Sequence, residues 1–177
     1  MPFQDDERVD RYVKRCVEKY LRSRPETVSV QDVSSLRGRG RDEIEFIWQR
    51  RDRSIAKLDG VLGSDRVSVG MLCSEGDSRG ELCLEVIADE GKDVPGWFHV
   101  DQDYLAYVSV PALELCFMEL RPVRGWVLGK EQCFTKRLTM HKDDVGRHYR
   151  SVGLVVSARV LEKNLSQYIE IGRLPLL

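Results

Sequence analysis

Glu85 is a carboxylate with apolar neighbours on both sides, within residues 81–88. An ionised carboxylate buried between Leu84 and Val86 would need a cationic partner or a metal ion, because a charged group is costly to bury. Carboxylate oxygens are the ligands that Mg²⁺ prefers. Glu85 is therefore a candidate metal ligand, and the alternative is a side chain that faces solvent or pairs with an arginine.

Arginines are concentrated in two nearby segments and form the best candidate for contact with a polyanion. Gly38 and Gly40 separate the first three and would let the backbone approach a phosphate, while Asp42, Glu43 and Asp52 partly cancel the positive charge. A protein partner or a plain exposed loop would also account for this composition. The candidate nucleic-acid ligands are Arg37, Arg39, Arg41, Arg50, Arg51 and Arg53.

Histidines and cysteines give weaker indications of a site. One histidine and carboxylate cluster contains His141, Asp143, Asp144 and His148, but two histidines seven residues apart do not match a common metal-binding spacing. The five cysteines are odd in number and include no CxxC pair, which favours reduced thiols packed in the core.

Length and composition predict one domain that spans residues 1–177. A chain of 177 residues with 42% hydrophobic content can build one continuous core. Its formal net charge of −1 excludes a strongly basic protein, although a sum over the chain conceals the charge of individual faces. Without an apolar run of membrane-spanning length, and with an acidic start, we expect a soluble, cytoplasmic protein with no membrane partner.

The first half of the chain predicts one helix followed by strands. Apolar residues at three- and four-residue spacing predict a helix over residues 5–22, which Pro25 ends. A short strand is predicted at residues 27–33. Three further strands, beginning at Ile44, over residues 55–62 and over residues 67–72, suggest an antiparallel meander.

The second half predicts more mixed structure. Residues 81–88 suit a helix or a buried strand, and residues 104–110 and 113–118 suit a hairpin. Pro122 favours the start of a short helix with Val123, Trp126 and Val127 on one face. We expect irregular structure over residues 135–148, a last strand at residues 152–156 and a helix over residues 159–168.

Several of these segments occur in the order found in a known family. Asp59 precedes the run Val67-Ser68-Val69-Gly70-Met71-Leu72, then a glycine-led strand ending in Glu85, the step Gly96-Trp97-Phe98 and the strand Asp103-Tyr104-Leu105-Ala106-Tyr107-Val108. This order resembles the PD-(D/E)XK nuclease superfamily, particularly its small phage and plasmid members, over residues 44–127. The resemblance implies an α/β fold with a central mixed β-sheet flanked by helices, as in restriction endonucleases.

The resemblance also implies a site. In such nucleases an aspartate and a second acid bind Mg²⁺, and a lysine two residues from the second acid orients the attacking water. Here Ser68 and Gly70 occupy the places of that acid and lysine. Asp59 matches the first acid, although an acid before glycine also suits a turn, and Glu45 is the alternative placement. Replacement groups from neighbouring elements would be Glu81, Glu85 and Lys92, with Asp59 and Glu85 as the metal ligands.

Three functions remain open from the sequence. The first is a catalytically degenerate nuclease-like protein that binds DNA or RNA, or serves as a structural subunit, in a phage, mobile-element or defence system. The second is an active Mg²⁺-dependent endonuclease with a rearranged centre, and the third is a protein-protein adaptor. Trp97 would stack on a base or cover the sheet edge. No cofactor is expected unless the enzyme is active, in which case Mg²⁺ is.

Overall fold

Two β-sheets and three α-helices make up the described part of the chain in a computed structural model, which covers residues 7–33, 44–51, 64–74, 80–99, 102–110, 112–143 and 145–173. The helices are α1 (Glu7–Ser23), α2 (Leu120–Leu128) and α3 (Ala158–Leu165). The strands are β1 (Thr27–Asp32), β2 (Ile44–Arg51), β3 (Ser64–Ser74), β4 (Glu81–Asp89), β5 (Val94–Pro95), β6 (Tyr104–Ser109), β7 (Glu114–Glu119), β8 (Thr135–Lys142), β9 (His148–Ser157) and β10 (Ile169–Arg173).

The first sheet is mixed and has the strand order β1-β2-β3-β6-β7-β10. β3 and β6 run parallel, and the other neighbours run antiparallel. Parallel neighbours need a long crossover connection, and here it carries β4, β5 and a short 3-10 helix at Trp97–His99. A second, antiparallel sheet has the order β5-β4-β9-β8.

One face of the first sheet packs against α1. The helix presents a single apolar stripe, because its apolar residues recur at three- and four-residue spacing. Val13, Val17 and Leu21 are fully buried against Phe46 and Trp48 of β2. The alternate residues of the same strands face away from α1, since side chains on a strand alternate between its two faces.

The other face of the first sheet packs against the second sheet. Leu105 of β6 and Met118 of β7 share a core with Leu84 of β4 and Leu154 of β9. Buried residues of α2 and α3 complete this core: Leu120, Val123, Val127, Ala158 and Leu161. The layers are therefore helix, mixed sheet and second sheet.

Most of the predicted elements are confirmed. The helix predicted over residues 5–22 is α1, residues 27–33 form β1, and the predicted hairpin is β6 with β7. Residues 81–88 form a strand, the helix near Pro122 is α2, and the helix predicted over residues 159–168 is α3. The strand predicted over residues 55–62 lies outside the described residues.

Two predictions near the carboxyl end are wrong. Residues 135–148 are not irregular, because β8 occupies most of them and pairs along its length with β9. Polar composition concealed this strand, since β8 is almost wholly exposed. The strand predicted at residues 152–156 belongs to β9 but is not the last one, because β10 follows and pairs with β7.

Candidate functional site

Ser68, which the sequence resemblance predicts to replace a metal-binding acid, joins two strands. Its backbone N–H and its hydroxyl both donate to Asp103 Oδ2, at 2.7 and 2.9 Å. The backbone N–H of Asp103 lies 3.0 Å from the Ser68 Oγ, which accepts its hydrogen bond. This mutual pair, the Ser68–Asp103 clamp, ties β3 to the start of β6.

The register of β2 and β3 shows which residues neighbour Gly70, the position that the sequence resemblance assigns to a lysine. Gly70 has its Cα opposite that of Glu45 on β2, and Ser68 lies opposite Ile47. Ile47 and Ser68 therefore share the face of the first sheet that is turned away from α1. Asp59, the other candidate for the first acid, lies outside the described residues.

Glu81 and Glu85 lie on β4, in the second sheet. They alternate with Leu82 and Leu84, which face the first sheet, and so both carboxylates point away from β3. Four residues along a strand span about 13 Å, which is too far for two carboxylates to hold one Mg²⁺ directly. Glu81 is exposed, 3.9 Å from the Arg137 guanidinium, and Glu85 is half-buried.

The glycine-tryptophan step covers β4. Gly96 donates from its backbone N–H to the Val86 carbonyl at 3.0 Å. A Cβ at Gly96 would lie 2.3 Å from the Glu85 carbonyl oxygen, so this close approach requires glycine. Trp97 packs edge-on to Phe98 and is half-buried, while Lys92 lies exposed in the turn before β5. These positions favour the structural interpretation of Trp97.

A cluster of aromatic and charged side chains that the sequence did not indicate links the end of α1 to β10. The Arg24 guanidinium lies 5.4 Å from the Trp48 ring centre and donates to Glu26 and Glu170, at 2.6 and 2.7 Å. Tyr20 donates its hydroxyl to Glu170 at 2.6 Å. Arg24 and Glu170 are 146 residues apart in the sequence, so no local sequence pattern could have indicated their contact.

The charges of this cluster stabilise one another. Burial alone would lower the pKa of Arg24, but the hydrogen bonds to Glu170 and Glu26 raise it above the usual arginine value. The hydrogen bond from Arg24 lowers the pKa of Glu170, with a further contribution from Tyr20. Burial raises the pKa of Tyr20, and its bond to Glu170 raises it further.

Arg50, one of the predicted phosphate ligands, packs among aromatic rings. Its guanidinium lies 5.7 Å from the Trp48 ring centre and 5.3 Å from that of Tyr104, and Nη1 donates to the Tyr104 hydroxyl at 2.6 Å. Burial raises the pKa of Tyr104, while the charge of Arg50 opposes this. Arg50 thus links β2 to β6 across the intervening strand β3.

The remaining arginine candidates can be located only by their sequence positions relative to the two ends of β2. Arg37, Arg39, Arg41 and Arg53 lie outside the described residues, and so does the side chain of Arg51. The first three precede the start of β2, whereas Arg51 is its last residue and Arg53 comes after it. An eight-residue strand separates these two attachment points by about 23 Å.

The β8–β9 hairpin, residues 135–150, carries an excess of basic residues. Its sequence contains five lysines and arginines against two aspartates, in a chain whose net charge is −1. Arg147 pairs with Asp143 and Asp89, and Arg150 pairs with Glu90. Beside it lies an open groove of about 530 Å³ lined by Asp89, Glu90, Gly91, Met140, His148, Tyr149 and Arg150.

The histidines of this hairpin do not converge. His141 lies opposite Tyr149, and His148 lies opposite Lys142, which places the two rings on opposite faces. His141 stacks on Tyr149, and its Nε2 is at hydrogen-bond distance, 2.8 Å, from the Ser151 hydroxyl. Asp143 accepts from the backbone N–H of Arg147, which lowers the pKa of Asp143. His141 and Asp143 therefore have structural partners, and Asp144 lies outside the described residues.

The cysteines divide by burial. Cys16 and Cys116 are buried as predicted, and burial raises the pKa of Cys116 to about 12. Cys83 is half-buried beside Gly153, whereas Cys133 is exposed, which corrects the expectation of core packing at that position. The Cys73 side chain lies outside the described residues.

Comparisons with protein-family models, with curated proteins and with solved structures found no match. In the described part of the chain, no group of three or more potential metal ligands comes together, and no helix is long and apolar enough to cross a membrane.

Proposed function

We propose that the protein is a nuclease-derived accessory subunit of a phage, mobile-element or defence system, which binds nucleic acid without cutting it. The observation that carries this proposal is the Ser68–Asp103 clamp. At the strand position where the resembled family needs a metal-binding acid, this chain has a neutral hydroxyl engaged in holding β3 to β6.

The chemistry of the clamp disfavours hydrolysis. A hydroxyl is a weaker ligand for a hard dication than a carboxylate, and Gly70 has no side chain to orient a water. Glu81 and Glu85, the nearest substitutes in the sequence, point away from β3 on a strand of the second sheet. The mixed first sheet, with β3 parallel to β6 and α1 on one face, supports the restriction-endonuclease-like part of the proposal.

Nucleic-acid binding is proposed for the arginines around β2. Arg37, Arg39 and Arg41 lie in a segment with two glycines, a composition that suits contact between the backbone, guanidinium groups and phosphates. Arg50 is left out of this set, because it packs on Trp48 and Tyr104.

The test is a titration of labelled single- and double-stranded DNA and RNA over a series of salt concentrations. We expect binding that weakens steeply with salt. In the triple variant Arg37→Ser, Arg39→Ser, Arg41→Ser, the slope of log K against log salt should fall by up to about 3 on duplex DNA.

The matched control removes three exposed arginines from the helices: Arg15→Ser, Arg121→Ser and Arg159→Ser. It has the same net charge as the test variant and should keep the wild-type slope. Equal loss in both variants would mean that only overall charge matters, and salt-insensitive or absent binding by the wild type would reject the nucleic-acid part of the proposal.

A further inference from the structure

Strand β8 is an edge strand with exposed side chains along nearly all its length. Among the described strands, only β9 pairs with it. In an antiparallel pair the N–H and C=O groups of alternate residues point away from the partner, so β8 presents a row of backbone donors and acceptors on its outer side. Between residues 135 and 142, no described backbone group outside the sheet bonds to this row.

One face of β8 carries a regular pattern of side chains. Lys136, Leu138, Met140 and Lys142 alternate along the strand and share a face. Leu138 is 54% exposed and Met140 is 64% exposed. Such exposure is unusual for two large apolar residues that are only two positions apart in the sequence. Neither lysine forms an ion pair with a described residue. We call these four residues the β8 strip.

The β8 strip continues the core of the second sheet. Lys136 lies opposite Leu154, and Leu138 lies opposite Val152. Leu154 is fully buried and Val152 nearly so. A further strand paired with β8 would therefore place its own side chains beside Leu138 and Met140 and extend an existing apolar layer.

We propose that β8 binds an extended acidic segment of another protein by strand addition. The segment would carry acidic residues six positions apart, opposite Lys136 and Lys142, with two apolar residues between them opposite Leu138 and Met140. Backbone hydrogen bonds would supply affinity, and the alternate side chains would supply selectivity. Arg137, on the other face of β8, pairs with Glu81, so Lys136 and Lys142 supply the attraction for an acidic chain.

A second copy of this chain fits the strip less well. If two β8 strands paired antiparallel so that Leu138 met Met140, each Lys136 would lie opposite a Lys142. Like charges directly opposite each other destabilise a strand pair. An acidic partner strand has no such repulsion, so charge complementarity favours an acidic segment over a second copy of the chain.

The probe is a labelled peptide with the core Glu-Thr-Val-Thr-Val-Thr-Glu, whose pattern reads the same in both strand orientations. Fluorescence anisotropy with the full chain should show saturable binding. Two control peptides should fail to bind. One has both glutamates replaced by lysine, and the other has the first valine replaced by proline, which removes an N–H that would face the outward backbone groups of β8.

Two sets of variants locate the site. Lys136→Glu with Lys142→Glu should weaken binding of the glutamate peptide at least tenfold and transfer the preference to the lysine peptide. Leu138→Ser with Met140→Ser should also weaken binding at least tenfold. All four residues are exposed, so these variants should fold, which the midpoint of urea unfolding checks.

The matched controls make the same changes elsewhere on the surface. Lys19→Glu with Lys163→Glu, and Val28→Ser with Val160→Ser, alter exposed residues of α1, α3 and β1 and should bind like the wild type.

Four outcomes would overturn the proposal. The first is the absence of saturable binding of the glutamate peptide, and the second is binding of the proline peptide that is as tight as binding of the glutamate peptide. The third is self-association of the wild type that Leu138→Ser abolishes. The fourth is displacement of the peptide by a single-stranded oligonucleotide, where the displacement requires Lys136 and Lys142. The third would assign the strip to a second copy, and the fourth to a nucleic acid.

Discussion

At the scale of single residues, Ser68 holds β3 to the start of β6 through its hydrogen bonds with Asp103. The order of motifs singled out its position, and chemistry predicted that a serine there is a poor metal ligand. Its partner Asp103 is 35 residues away, and only the parallel pairing of β3 with β6 brings the two together. The identity of residue 68 alone therefore gives no indication of this contact.

The clamp makes Ser68→Ala a direct test of that contact. Hydrogen bonds to charged groups contribute about 1.5–3 kcal/mol. Ser68 is half-buried beside an exposed carboxylate, so we expect a smaller loss, about 1 kcal/mol. Urea unfolding measures it. Ser29→Ala is the control, because Ser29 donates to the neutral side chain of Gln49 on an exposed strand. Equal stability of the two variants would contradict the clamp.

Two glycines give opposite predictions. Gly96→Ala should destabilise the protein by about 1–3 kcal/mol, because the new methyl group would collide with the backbone of Glu85. Gly125→Ala on α2 has open space around it and should stabilise the helix by about 0.5–1 kcal/mol. Thermal and urea unfolding test both. A neutral effect of Gly96→Ala would mean that the 3-10 helix does not lie against β4 as described.

At the scale of elements, the strongest sequence periodicity gave the most accurate prediction. The apolar stripe of α1 predicts the helix to within about two residues at each end, because the described apolar side chains of the helix all face one surface. β8 has only Leu138 and Met140 as large apolar residues among polar ones, and its pairing with β9 is what makes it a strand. β10 was missed for a related reason, since it is short and its position depends on β7.

The junction of α1 with β10 predicts a dependence of stability on pH. The pKa of Glu170 is lowered in the folded protein, so its stabilising effect is present at neutral pH and is lost as the pH falls below about 4.3, the usual glutamate value, through the folded pKa. Glu170 is half-exposed, and solvent screening limits the effect to about 1 kcal/mol.

Glu170→Gln isolates this contribution. The variant should be less stable than the wild type in urea at pH 7, and the difference should shrink as the pH falls through the folded pKa. Glu162→Gln is the control, because Glu162 is exposed on α3 and forms no described ion pair. A difference that stays constant down to pH 3 would show that the charge of Glu170 does not contribute.

At the scale of the whole molecule, the mixed sheet could be predicted from the motif order, but the second sheet could not. β4 pairs with β9, which begins about 70 residues later, and no feature of either strand's sequence indicates this pairing. The pairing of β4 within the second sheet also determines which residues meet at the candidate site, because it turns Glu81 and Glu85 away from β3. The charge distribution is equally hidden, since a chain of net charge −1 contains a basic hairpin.

The most direct measurement of the central claim is a cleavage time course with labelled DNA and RNA in Mg²⁺, under salt conditions in which the protein is bound to them. We predict that the wild-type protein binds the nucleic acid and leaves it intact. Mg²⁺-dependent cleavage by the wild type that disappears in Asp59→Ala or Glu85→Gln would contradict the account, because it would show a working metal centre where we place a lost one.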